Sequence, residues 1–445
     1  MRAVITRIVI SALTLVGCAG AMKLSTAQRA DALRREGRLA EAYAAYAGVL
    51  CDHPGNGAQL DAARHYVETW HDLGQPGAPQ ARLEDCNLDP TVQAYVDGLV
   101  AGASGDIEAA HVALARAETT VAVAARGEVA YRRGLLDIGR NEPRLAQAHF
   151  DRAAGLEPER PEIRLALAQS LLDQARYDDA IAALRGLLAI ETTRFDLDRA
   201  RRIFRTAVKR SEPPLPDGVA QPINEILSAL ERGENAPGAL ERSQNLAAEV
   251  DHPRVLIVAG LVALQRGLKI EAGQFLNRAA MLNPIDPEPP RVLGTARYAA
   301  ERPAEALAPL REAMRRDPFD VEVARMVATA AIAIEDTETA RDTYRALIVL
   351  EPQIAEHYLW LARTERRLGR FGAARRAVER GCALDARNVL LLLELASVEM
   401  TLALSAPTAV ERVDARQRAQ SAVDQLLEVA PGHPGAVAIL ASLES

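Results

Sequence analysis

Small and apolar residues recur along this chain at fixed intervals, and no stretch shows the period-two alternation of apolar and polar residues that a half-buried strand requires. Ala and Leu dominate the apolar set and favour helix, so the pattern predicts an all-α chain. Pro284, Pro318 and Pro352 stand 34 residues apart, and Ala386 takes the next slot. Twenty-four residues before each slot lie Gly260, Gly294, Ala328 and Ala362. Twelve before lie Ala272, Ala306, Ala340 and Ala374, and eight before lie Leu276, Leu310, Tyr344 and Val378. Two helices that cross closely need Gly or Ala at the contact points, a large residue to fill the space beside them, and a proline to end the second helix.

This frame resembles the tetratricopeptide repeat (TPR), in which each unit is a pair of antiparallel helices. Upstream copies keep the same register: Ala30, Ala42, Tyr46 and Pro54; Gly98 and Ala110; Gly134, Ala146, Phe150 and Pro158; Ala168, Ala180 and Leu184. The resemblance implies a right-handed α-solenoid over roughly residues 25–445. The register lapses in places. Residues 57–88 read as one helix and a Gly/Pro-rich link, and 194–211 as a lone Arg-rich helix. Ser211-Glu212-Pro213-Pro214-Leu215-Pro216-Asp217-Gly218 breaks the chain, so two arms are expected, 26–211 and 222–445, joined by a Pro-rich linker at 212–221. In the copy at 222–250, Ile226 and Gly238 replace the usual small residue and Ala. Near the end, about eleven residues around Ser405-Ala406-Pro407 are inserted before Ala419, and Pro434 to Leu443 reads as a cap.

The start of the chain carries a different signal. Arg2 and Arg7 precede a short apolar run, Ile8 to Val16, well below the roughly 20 residues that span a bilayer. Residues 1–17 therefore read as a signal peptide. Leu15-Val16-Gly17-Cys18 resembles a lipobox, which implies lipidation of Cys18 and a tether over 18–25. Ala19 stands where an Asp would retain a lipoprotein in the inner membrane, so the resemblance implies an outer membrane lipoprotein facing the periplasm.

Charge narrows the partners. The formal net charge is −7, and removing Arg2 and Arg7 with the leader takes it to −9. An acidic chain is poorly suited to phosphate-driven nucleic-acid binding. Neither His-Glu-x-x-His, Gly-x-Ser-x-Gly nor a phosphate loop occurs, and the repeats occupy nearly the whole length, so no enzyme, metal or cofactor is expected. Export would place Cys51 and Cys86, on neighbouring repeats, in an oxidising compartment, which makes them a candidate disulfide. His53, His65 and His71 lie between them, but the spacing fits no zinc pattern. Cys382 reads as a small buried apolar residue.

In TPR proteins the first helix of each pair lines the concave surface. Transferred to this chain, that frame gives Arg291, Thr295 and Tyr298, then Arg325, Thr329 and Ile332, then Leu359, Arg363 and Arg366. Guanidinium groups pair bidentately with carboxylates, so residues 254–400 are expected to form a groove for an acidic or C-terminal peptide. The alternative is that these arginines pair with the chain's own Glu322, Glu356 or Glu365. The N-terminal arm offers the more apolar Tyr95, Leu99, Tyr131 and Leu135. The expected function is that of a lipid-anchored adaptor binding protein partners in an envelope-assembly complex of the pilus/secretin, barrel-assembly or cell-wall synthesis type. A periplasmic chaperone for unfolded segments and an auxiliary subunit of an envelope enzyme are the alternatives.

Overall fold

The computed structural model describes residues 25–52, 57–75, 77–122, 125–189, 195–232 and 238–444. The signal segment 1–17, Cys18, most of the tether, His53 and Pro54 lie outside them. Among the described residues there are 23 α-helices and no strand, and they form the all-α TPR solenoid architecture.

The frame of small residues becomes the contact between paired helices. Gly134 of helix Arg126–Gly139 lies so close to Phe150 of helix Pro143–Leu156 that a Cβ there would stand 2.5 Å from the ring. Gly98 meets Leu114 in the same way, Gly260 meets Leu276 and Gly294 meets Leu310, each at 2.7 Å. Every one of these partners is sixteen residues on, in the second helix of its pair. The second-helix alanines Ala42, Ala110, Ala146, Ala180, Ala272, Ala306, Ala340 and Ala374 are wholly buried. Helices Lys269–Leu282, Pro303–Arg316 and Thr337–Leu350 each stop two residues before the frame's proline.

A second 34-residue frame governs the turn inside each pair. The second residue after the first helix adopts a left-handed conformation at Gly267, Glu301, Glu335 and Gly369, with φ between 56° and 76°. Asn141 and Ala175 do the same upstream. Glycine takes this geometry freely, whereas a Cβ is crowded by its own backbone.

The chain divides into two compact units, one up to Pro158 and the other from Glu159. In the first, helix Gly57–Asp72 has no second helix. A 3₁₀ turn, Pro79–Arg82, takes its place, held where Tyr66 donates to the Pro79 carbonyl at 2.8 Å and Trp70 to that of Gly77 at 3.1 Å. The second unit contains the Pro-rich segment rather than beginning there. Phe204, before the segment, packs edge-on against Phe319, well after it, with centroids 6.1 Å apart. His252 Nε2 lies 3.0 Å from the Pro213 carbonyl oxygen. Apolar packing thus crosses the segment that sequence alone marks as the linker between arms. Gly238 starts helix Ala239–Glu249 with φ 78° instead of lying inside it. The late insertion lengthens both helices around it, giving Val389–Ser405 and Ala409–Val429.

Candidate peptide-binding surfaces

The arginines expected to line a groove in the second unit are all engaged by carboxylates of the same chain. Arg291 pairs with Glu288 at 2.6 Å, one helical turn away. Arg325 meets Glu322 at 2.9 Å and grips both oxygens of Glu351 at 2.8 and 2.9 Å. His357 Nε2 also stands 2.9 Å from Glu351. Burial resists ionisation of Glu351, but the hydrogen bonds from His357 and Arg325 outweigh it and hold the carboxyl below its usual range. Arg366 reaches Glu394 at 2.6 Å, and Arg363 lies 3.6 Å from it with its guanidinium 4.9 Å above the Trp360 ring. Glu394 is almost fully buried, so these arginines neutralise an internal charge that would otherwise be costly. The pairing partners are Glu322, Glu351, Glu288 and Glu394, and only the first is among those named from sequence. Tyr298 and Ile332 pack partly into the core, and the Thr295 hydroxyl is buried without a hydrogen-bond partner among the described residues.

The first unit holds a more open arrangement. A cleft of about 360 Å³ runs across its successive first helices, Thr26–Arg35, Gly57–Asp72, Pro90–Ala103 and Arg126–Gly139. Its floor is Val67, Leu99, Leu114, Leu135 and Leu136 with Gly98 and Gly102, and its rim is charged. Arg34 pairs with Glu68 at 2.9 Å and Asp72 at 3.3 Å, and Arg132 meets Glu68 at 3.2 Å and Glu128 at 2.7 Å. Burial opposes ionisation of Glu68, but the Arg34 hydrogen bond and the charges of Arg132 and Arg64 outweigh it and depress its pKa. The Arg64 Nε is buried and has no hydrogen-bond partner among the described residues. Of the four residues expected here, Leu99 and Leu135 line the cleft and Tyr131 sits partly exposed beneath Arg132. Tyr95 is instead core, fully buried with its hydroxyl donating to Glu128 at 2.6 Å.

The charged rim was readable in principle. Arg34, Glu68, Gly102 and Leu136 are spaced 34 apart, as are Arg64, Gly98 and Arg132, and all seven line the cleft. The lapse of hallmarks over 57–88 hides this, because Arg64 occupies the slot that holds a small residue elsewhere.

Cys51, at the end of helix Leu39–Asp52, and Cys86 form a disulfide with Cα atoms 4.9 Å apart. Cys382 is a free, partly buried thiol whose pKa is pushed up to about 11 by burial and by nearby Asp385 and Glu379. Among the described residues no cluster of three or more His, Cys, Asp or Glu is arranged to hold a metal ion, and no helix is long and apolar enough to cross a membrane.

Two segments, residues 138–202 and 325–389, match family models described as tetratricopeptide repeat. The chain therefore carries TPR repeats, and these suggest protein or peptide partners. Solved structures with similar helix arrangements include YrrB, described as a TPR protein with an unusual peptide-binding site, at 13% identity and TM-score 0.35, covering 45% of this chain and 97% of that one. MamA follows at 17% identity and TM-score 0.28, covering 38% and 96%. The P58(IPK) TPR domain has 14% identity and TM-score 0.25, covering 80% and 98%. No curated protein matches the chain.

Proposed function

We propose that this protein is a scaffold that binds segments of protein partners, lipid-anchored through Cys18 at the outer membrane and working in assembly of the cell envelope. The observation that carries the binding role is the cleft of the first unit, whose apolar floor is bordered by Arg34, Arg64 and Arg132. Such a cleft accepts a short extended segment, with an apolar side chain on Leu99 and Leu135 and a carboxylate near Arg64. Binding there spares the Arg325 and Arg363 contacts, which already serve Glu351 and Glu394. The envelope setting rests on Leu15-Val16-Gly17-Cys18 and the basic, apolar leader before it.

The experiment is capture of partners from detergent-solubilised membranes by the full chain and by Leu99→Asp/Leu135→Asp. Both leucines are only partly buried, so the variant should keep its fold. We expect a partner held by the wild type to be reduced at least tenfold in the variant while the thermal midpoint stays within a few degrees. Charge reversal at Arg325 and Arg363 should leave that capture in place. Equal capture by wild type and the leucine variant would remove the cleft from the account.

A further inference from the structure

Helix Leu197–Ser211 stands apart from the other helices in charge. Its inner face, Ala200, Ile203, Phe204 and Ala207, is buried and packs in the second unit's core. Its outer face carries Arg199, Arg201, Arg202, Arg205, Lys209 and Arg210 against a single acid, Asp198. None of the six cations has a carboxylate within ion-pair range among the described residues. The contrast with the groove arginines is sharp, since Arg291, Arg325, Arg363 and Arg366 are all paired. Asp317 feels the charges of Arg205 and Arg201 only at a distance. Like charges at helical neighbours repel, so this face carries a local electrostatic cost.

Five of the six cations fall in two stripes. Arg199, Arg202 and Arg210, with Thr206 between, line a shallow cleft of about 180 Å³ whose other wall is Gln169 and Asp173. Arg205 and Lys209 line a second cleft of about 390 Å³ together with Arg254 and apolar Leu227 and Ile257. We propose that this basic ridge docks an acidic segment of a protein partner, its carboxylates seated on Arg199, Arg202 and Arg210. Arginine forks match carboxylates bidentately, and the unpaired state leaves them free to do so. A peptide suits the ridge better than a polyphosphate. The helix spans only about 22 Å at 1.5 Å per residue. Asp173 borders one stripe, and Glu212, Asp286 and Glu288 face the other. A regular phosphate backbone would run into these carboxylates, whereas a peptide can place its acids singly between them.

The test uses the full chain and three probes: a fluorescein-labelled twelve-residue peptide rich in Glu and Asp, a twenty-nucleotide single-stranded DNA, and phosphatidylglycerol vesicles. The acidic peptide should bind, and added salt should weaken it. Arg199→Gln/Arg202→Gln/Arg210→Gln should reduce its affinity at least tenfold, and the triple Lys variant should lose less. Arg205→Gln/Lys209→Gln, on the other stripe, gives a second reading should the triple variant unfold, and a fall of threefold or more is expected. Failure of the wild type to bind the peptide, or binding unchanged in both Gln variants, overturns the proposal. Tighter, ridge-dependent binding of DNA or vesicles overturns it as well. Loss of capture at the first unit's cleft would leave these outcomes untouched.

Discussion

Single positions decide how closely the helices pack. A methyl group on Gly134 has nowhere to go, because the Phe150 ring occupies its place and is itself wholly buried. Gly134→Ala should therefore cost about 1–3 kcal/mol through overpacking. At Ala175 the strain runs the other way, with φ at 58°. Ala175→Gly relieves the left-handed crowding but loosens the unfolded chain, so a net gain of up to about 1 kcal/mol is expected. Denaturant midpoints of the two variants should move in opposite directions, and parallel shifts would contradict this account of the frame. The Gly and Ala slots were legible in the sequence because a steric requirement leaves only small residues at a fixed spacing. The left-handed turn slot was not, because Glu301, Glu335 and Ala175 occupy it where glycine would have signalled it.

At the scale of elements, the first unit relies on a substitute for a missing helix. Where most first helices have a partner, Gly57–Asp72 has a 3₁₀ turn, and the stacked Tyr43 and Tyr66 rings, 4.5 Å apart, join it to the preceding pair. The Cys51–Cys86 disulfide closes this region across a sequence separation of 35. Closing a loop of that size removes freedom from the unfolded chain and contributes about 2–4 kcal/mol. Cys51→Ser/Cys86→Ser, or reduction with dithiothreitol, should lower the unfolding midpoint, with amide exchange rising first in residues 57–86. Exchange that rose evenly through residues 159–445 instead would show that the bond does not brace this element. The Arg-rich helix is the other irregular element. Its composition was plain in the sequence, but the lack of ion pairs for its cations among the described residues was not, since pairing depends on which carboxylates the fold brings near.

For the whole molecule, the division into units follows apolar packing rather than proline content. Helix Leu197–Ser211 ends at the Pro-rich segment as sequence suggests, yet Phe204 and Phe319 meet across it and residues on both sides belong to one unit. The membrane attachment we propose has its own test at this scale. Cys18→Ala should move the protein from the membrane to the soluble fraction after cell lysis, because lipidation at that sulfur supplies the anchoring. Retention of the variant in washed membranes would rule the lipid out as the anchor.

The sequence by itself determined the helical class, the 34-residue register and the close crossings within each pair, because these depend on residue size and backbone geometry over short distances. Tertiary structure alone decided which cations are spent on internal carboxylates and which stand free, and where one compact unit gives way to the next. Those outcomes depend on charges and apolar faces that are far apart in the chain, and no local spacing encodes them.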